Sequence, residues 1–441
     1  MSGTNTHSNT AYRGFGGPQA MFIAESYMTA IADGLGISVD ELRIKNLYKK
    51  GDYTPFLQQI DIDWHIPQLF KETKEQCDFE ARRAAVDEFN KKNKWKKRGI
   101  AMIPVKFGLS FATALHLNQA GASVKIFADG SVLLHHGGTE MGQGLYTKMC
   151  QIAAQELNVP IESVYTQDTA SYHTANASPT AASSGSDLNG MAIKHACDQL
   201  NERLKPYWEK LGPNATMHDV AHAAYRDRVN LAANGFWKMP KIGYSWGNYD
   251  ISTVKPMYYY FTQGVGCSEV ELDLLTGDHT VLRTDIKMDV GRSINPAIDY
   301  GQIEGAFVQG QGLFTIEETL WTQKGELFTR GPGAYKIPGF SDIPQEFNVS
   351  FLQDVEGGWK HLRTIQSSKG IGEPPLFLGA SVLFALRDAL VSARKDNGVK
   401  EHLALDSPAT AERLRLAVGD DILKMGIVEP KGEKNFFVTA A

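Results

Sequence analysis

Three glycine-rich stretches constrain this 441-residue chain more than anything else in it: residues 13–17, 137–144 and 178–185. Glycine accepts left-handed backbone and lets the chain come close to a ligand, and successive amides in such a turn can cradle an anion. The second stretch, Gly137-Gly138-Thr139-Glu140-Met141-Gly142-Gln143-Gly144, lies between a strand-like and a helix-like segment. A helix N-terminus there is a natural place for a phosphate. It is not a P-loop, because no Gly-Lys-Ser/Thr follows and Lys148 falls a turn inside the helix; nor does it carry the G-x-G-x-x-G fingerprint. Any one of these loops reads more readily as a turn than as a site, but three in one chain point to a large phosphorylated ligand.

Between the loops the pattern is that of an α+β protein. Apolar residues at Met21, Ala24, Met28 and Ile31 predict an amphipathic helix, with Pro18 in its first turn and Gly34 at its end. Ser38 with Glu41 predicts a reciprocally capped second helix through Leu47. Residues 50–98 are more polar, and the positive run Lys91 to Arg98 reads as a solvated surface. Val124–Phe127, Asp129-Gly130 and Val132–Leu134 predict a hairpin, followed beyond the second loop by a helix through Leu157. A long helix is expected to end near Leu204, ahead of Pro206, and Gly235 to Asp250 reads as a connection between units. A half-exposed strand ending at Asp273, a turn at Thr276-Gly277-Asp278, a glycine-punctuated helix at 301–310 and a helix opening at Ser407-Pro408 complete the pattern. Hairpins mixed irregularly with helices argue against a regular βαβ wind.

Charge and composition exclude several classes. The formal net charge of −5 provides no basic field, so no nucleic-acid partner is expected. No run reaches ~18 uninterrupted apolar residues, and the N-terminus lacks a basic start followed by an apolar run, so neither a membrane span nor a secretory signal is expected. Cys77, Cys150, Cys197 and Cys267 are widely spaced, which disfavours a zinc or iron–sulfur site built by this chain and suits buried, reduced thiols of a cytoplasmic protein. His135-His136 lies on a strand, where neighbours face opposite sides and chelate poorly.

The fourth feature is Gly370-Ile371-Gly372-Glu373-Pro374-Pro375-Leu376-Phe377-Leu378. An acid among glycines, prolines and bulky apolar groups is desolvated, which raises its pKa and prepares it for base work near neutral pH; the alternative is an ordinary acid on a rigid turn. Phe15 and Phe111 read either as aromatic walls for a flat substrate or as core residues.

Taken together, Ala11–Gln19, Gly137–Gly144, Ser178–Ser183 and Gly370–Gly379, with Gly305–Gly310 and Leu405–Thr410, resemble in order the motifs of the molybdopterin-binding region of xanthine dehydrogenases, members of the molybdenum hydroxylase family that includes aldehyde oxidases. The resemblance implies the C-terminal part of that region, in units of mixed hairpins and helices: residues 1–60 as the tail of a first molybdopterin-binding half, and 95–250 and 251–425 as two units of a second. It implies a molybdenum-molybdopterin cofactor with no side-chain ligand to the metal. Arg13 and the backbone at Ala182 would lie beside the molybdenum; Met141, Gly142, Gln143, Thr180, Ser183 and Gln309 would contact the cofactor. Glu373 would be the catalytic base in hydroxylating a purine or related N-heterocycle with water as oxygen source, between Phe15 and Phe111. Xanthine-type members usually carry threonine after the stacking phenylalanine, where this chain has Ala112, so a nicotinate-like acid or an aldehyde is an alternative substrate. The family's 2Fe-2S clusters and FAD belong to other domains or partner chains, the complete protomers are expected to form a homodimer, and a non-catalytic remnant is the rival reading.

Overall fold

In the computed structural model, residues 11–426 are described, apart from 62, 168, 354, 356 and 360, together with a short strand at 437–439. Two four-stranded sheets carry the fold. The strands are β1 (Lys96–Gly108), β2 (Gln119–Ile126), β3 (Val132–His136), β4 (Val164–Thr166), β5 (Ala232–Lys238), β6 (Phe261–Asp273), β7 (His279–Asp289), β8 (Leu320–Thr322), β9 (Glu346–Phe351) and β10 (Phe437–Thr439). The first sheet has the order β1-β6-β7-β9, antiparallel except for the parallel β7–β9 pair, and the second has the order β4-β3-β2-β5, antiparallel except for β3–β4. β8 pairs with β10. The α+β expectation holds, and the hairpin forms as read, with Gly130 left-handed in its turn.

The helices are α1 (Gly17–Leu35), α2 (Val39–Asn46), α3 (Ile66–Gln76), α4 (Phe79–Lys92), α5 (Leu145–Leu157), α6 (Gly185–Leu211), α7 (Met217–Arg226), α8 (Pro296–Thr315), α9 (Pro374–Phe377), α10 (Ala380–Asp396), α11 (Ala411–Ala417) and α12 (Asp421–Gly426). The first sheet is covered on both faces. Alternation along β1 sends Ile103 and Val105 into a core with α8 and α10, and Ile100 and Met102 into a smaller core with α3 and α4. The second sheet packs on α5, α6 and α7. Each sheet admits its long helix through a strand glycine. A Cβ at Gly99 would stand 1.9 Å from the Ala385 carbonyl oxygen of α10, and one at Gly235 would stand 1.8 Å from that of Ala192 in α6.

Several sequence expectations need correction. Gly36, left-handed, ends α1, while Gly34 lies inside it. Ser38 caps α2 by accepting the Glu41 amide, but Glu41 turns its side chain to Lys45 instead of reciprocating. The polar stretch 50–98 holds two helices, and Lys97 within the positive run is buried, its Nζ 2.5 Å from Asp396. α6 continues through Pro206 to Leu211 because the missing amide falls near its solvated end. Thr410, not Ser407, caps α11. β1 pairs with β6, so residues 96–108 lie in the sheet of the later unit rather than with the elements up to 250. Pro374–Asp396, spanning α9 and α10, is apolar and long enough to cross a membrane by composition, but 83% of its most apolar stretch is buried in the first core.

Candidate active site

The three glycine loops and the Glu373 segment are tied together by hydrogen bonds, Gly14 and Ser183 to Glu373 and Thr139 to Thr180. Glu373 sits at the N-terminal edge of α9, fixed by Pro374 and Pro375 behind it. Its Oε1 accepts the Gly14 amide at 2.9 Å, and its Oε2 accepts the Ser183 hydroxyl at 3.0 Å. The same Ser183 Oγ accepts the Glu373 amide at 2.9 Å. Arg13 Nη1 donates to the Gly372 carbonyl at 2.7 Å and to Gln302 at 3.4 Å. Burial pushes the Glu373 carboxyl above its ordinary range, against the opposing pull of the Gly14 amide, the Ser183 hydroxyl and the Arg13 charge. Burial lowers the Arg13 guanidinium, opposed by Tyr12 and Glu373. Close approach makes glycine necessary here: a Cβ at Gly370 would stand 2.3 Å from the Ser183 carbonyl oxygen, and one at Gly14 would stand 2.6 Å from Pro18.

Arg13, Ser183 and Glu373 are thus brought together directly. Gln143 and Thr180 meet through Thr139: Gln143 Nε2 donates to its carbonyl at 2.9 Å, and Thr180 Oγ1 accepts its amide at 2.8 Å. Gln309 joins through its backbone, its carbonyl accepting the Tyr12 hydroxyl at 3.2 Å. Phe15 is 73% exposed, and Phe111 is half-buried against the second core with its amide on Asn118. Phe15, Ala112, Ala182 and Ser183 all have positive φ (50°, 35°, 56° and 56°), strained backbone of the kind that gathers where a ligand is held.

The glycine loop differs from the expected open anion cradle. The Glu140 carboxylate accepts the amides of Gly142 (3.0 Å), Gly144 (3.0 Å) and Tyr146 (2.9 Å), and Gln143 Oε1 accepts that of Met141 (2.6 Å). The Gly144 and Tyr146 amides at the start of α5 are therefore satisfied by the loop's own acid. Spacing alone could have shown this, since Glu140 lies just ahead of that N-terminus.

Other residues escaped sequence reading altogether. Lys369, wholly buried, reaches Asp63 at 2.7 Å, Asp289 at 2.5 Å and the Phe261 carbonyl at 3.1 Å. The Gly370 amide donates to the Tyr260 hydroxyl at 2.7 Å, which donates to Asp187 at 2.6 Å. Burial pushes the Asp187 carboxyl up to about 7 despite the Tyr260 bond. These partners are too distant in sequence for any local signal.

The donor set at the convergence is amides, hydroxyls, carboxamides and one guanidinium, which suits a large anionic organic cofactor. Beyond Gly16 and Gly142 the space that a Cβ would fill is open. Among the described residues, the acid–histidine group spaced to hold a metal ion is Asp63, His65 and His361, and Asp63 already holds the Lys369 ammonium. The residues present fit a cofactor held by its organic part rather than a metal held by side chains.

Comparison with known proteins agrees. A molybdopterin cofactor-binding domain family matches residues 72–344, and a second family of the same description matches residues 1–47. The chain is 67% identical over 441 residues to a nicotinate hydroxylase of Emericella nidulans and 59% identical over 437 residues to a xanthine dehydrogenase of the same organism, covering 99% of this chain and 31% of each relative. It thus spans about a third of the relatives' length and corresponds to their C-terminal part. An aldehyde oxidoreductase from Desulfovibrio desulfuricans superposes over 92% of this chain and 41% of its own at a TM-score of 0.73 and 25% identity. A quinoline 2-oxidoreductase from Pseudomonas putida shares the fold at a TM-score of 0.77 over 92% of this chain and 53% of its own. The chain belongs to the molybdopterin cofactor-binding domain family.

Proposed function

We propose that this chain forms the cofactor-binding, base-carrying part of a molybdenum hydroxylase that inserts oxygen from water into an electron-poor N-heterocycle. The observation that carries the reading is Glu373, a desolvated carboxylate aimed by the Gly14 amide and the Ser183 hydroxyl. Bound molybdopterin would supply the redox centre that accepts the substrate's electrons. Arg13, Gln143, Thr180, Ala182, Ser183 and Gln309 would hold it, with Met141 and Gly142 contributing surface beyond the amides already engaged. Glu373, ionised, would take a proton from the attacking oxygen, its raised pKa making it a stronger base than a solvated acid. Phe15 and Phe111 would bound the ring. A nicotinate-like acid is the favoured substrate over a purine: Ala112 withdraws a hydroxyl from the pocket, and the 67%-identical relative is named for nicotinate.

The active form would pair this chain with iron–sulfur and FAD regions, as complete protomers associating into a cytoplasmic homodimer. Residues 1–60, 95–250 and 251–425 would act as the tail of one cofactor-binding half and the two units of the next, with β1 of the second segment lent to the sheet of the third. The test is Glu373→Gln in the complete assembly, loaded with cofactor. Turnover of nicotinate should fall about 10²–10⁴-fold with Tm unchanged. Normal turnover in the variant would overturn the assignment, and an assembly that takes up no cofactor would favour a non-catalytic remnant. Faster turnover of hypoxanthine or an aldehyde than of nicotinate would overturn the substrate.

A further inference from the structure

The network around Lys369 includes a group that the proposed function leaves unused: Asp63, His65 and His361, whose ligand atoms all lie within 4.8 Å of one another. Asp63 and His65 stand on the segment that leads into α3. Buried Gln263 of β6 pins that segment, its Oε1 accepting the His65 amide at 2.7 Å and its Nε2 donating to the Asp63 carbonyl at 2.8 Å. His361 comes from the stretch ahead of Lys369, 298 residues from Asp63 in the chain. Both histidines turn Nε2 to the same atom, Asp63 Oδ1, at 3.3 Å from His65 and 3.2 Å from His361. His65 is 8% exposed, and its Nε2 makes no hydrogen bond to any described residue. A buried polar atom left in that state is costly unless a further partner meets it.

Spacing, charge and room on Asp63 together say what that partner is. With bonds of ~2.0–2.1 Å, neighbouring ligand atoms of a tetrahedral zinc site stand about 3.3 Å apart. Both Nε2–Oδ1 distances match this, and both are long for hydrogen bonds of a charged group, which run at ~2.7–2.9 Å. Leaving the histidines aside, the buried group formally sets two carboxylates, Asp63 and Asp289, against one ammonium, Lys369, so a second cation would restore the balance. Lys369 Nζ lies against both Asp63 oxygens, 2.7 Å from Oδ2 and 2.8 Å from Oδ1, and 2.5 Å from Asp289; it keeps Oδ2 and Asp289 when Oδ1 turns to an ion. We propose that Asp63, His65 and His361 form a binding site for a divalent transition-metal ion of the zinc type, with Asp63 Oδ1 and the two Nε2 atoms as ligands and water completing the tetrahedron. His361, its side chain 20% exposed, is the point of entry. None of the three ligands belongs to the set assigned to the organic cofactor, and the inference does not rest on the proposed function. Held there, the ion would tie the approach to α3 to the stretch that leads into Lys369 and Glu373.

The experiment uses the full chain and zinc alone. Protein stripped with a chelator is titrated with Zn²⁺ in competition with a chromophoric chelator, as wild type, His65→Ala, His361→Ala and a surface control. The control is the double variant His218→Ala, His222→Ala, which removes the exposed histidine pair of α7, its rings 6.0 Å apart. Wild type and the surface control should each take up one ion per chain and gain Tm as zinc is added. Co²⁺ in place of Zn²⁺ should give the strong visible bands of a four-coordinate ion. His65→Ala and His361→Ala should bind more weakly by more than the roughly 10–100-fold that losing an outer-shell partner costs, because a direct ligand is gone. His361→Ala, at the more exposed position, should keep wild-type circular dichroism; should His65→Ala fail to fold, His361→Ala and the cobalt spectrum decide. No uptake by wild type, equal uptake by His361→Ala, or uptake lost only in the surface control would each overturn the proposal, the last by assigning the zinc to an adventitious surface pair.

Discussion

The segment Lys369–Glu373 is held by partners far away in the chain, whereas the glycine loop at 137–144 largely holds itself. Lys369 draws on Asp63 and Asp289, Gly370 on Tyr260 and Thr262, and Glu373 on Gly14 and Ser183. In the glycine loop, Glu140 and Gln143 take the amides of their own neighbours, while Thr180 accepts the Thr139 amide and Thr169 donates to the Gly138 carbonyl from outside. The position of Glu373, the proposed base, is therefore a property of the whole fold, set when both sheets are in place. The shape of the glycine loop is a property of about a dozen contiguous residues. A group that must meet a reacting atom needs the first kind of support; a surface that wraps a cofactor can be assembled with the second.

The contrast can be broken in graded steps. Lys369→Met should have the largest effect on stability: it leaves Asp63 and Asp289 buried without their shared cation, a loss of about 3–5 kcal/mol, read from urea denaturation. A midpoint equal to wild type would show that charge does not anchor this segment. Asp187→Asn comes next. Burial raises the folded carboxyl from the ordinary 3.8 to about 7, so the folded form takes up a proton that the unfolded chain releases. Wild-type stability is then fullest below pH 4 and declines as pH rises to 7. The variant lacks that decline, so its Tm advantage should open across this window; parallel Tm curves for the two proteins would sink the argument.

Ser183→Ala removes a hydrogen bond that lowers the Glu373 pKa. The acid limb of the pH–rate profile should therefore move to higher pH, costing several-fold in turnover on that limb and little above it. An unmoved limb would mean that Ser183 does not tune the base. The smallest effect belongs to Glu140→Ala, worth about 1 kcal/mol as the loss of a helix cap, with the acid limb unmoved. If Glu140→Ala shifted that limb as well, the two loops would be mechanically coupled and the contrast between them would fail.

What the sequence made legible follows the same division. The hairpin at β2–β3, helices α1, α2 and α5, the glycine loops and Glu373 all announce themselves within a dozen residues, through periodicity, caps and turn chemistry. The helices α3 and α4 were missed because they bury short faces, Leu69 and Phe70 in one and Phe79 and Val86 in the other, within an otherwise polar stretch. The β1–β6 pairing joins segments more than 150 residues apart in the chain. The Lys369–Asp63 contact spans 306 residues and Lys369–Asp289 spans 80. No local pattern encodes such partners, since each is fixed only by the packing of both sheets. Of the apolar residues read as the face of α1, Met21 packs on the first core, but Ile31 is 46% exposed, because periodicity marks a helix without saying which side the core will take.

The two strand glycines carry a practical consequence for genetics. Any side chain at Gly99 or Gly235 would collide with a helix carbonyl at under 2 Å, far from Glu373 in function. A random-mutagenesis screen scored on activity would therefore return these two positions beside the proposed base and cofactor loops, as if they were chemical residues. Sorting the hits by how much folded protein each clone accumulates would separate them: substitutions at Glu373 should leave normal amounts of inactive protein, while those at Gly99 and Gly235 should leave little protein at all.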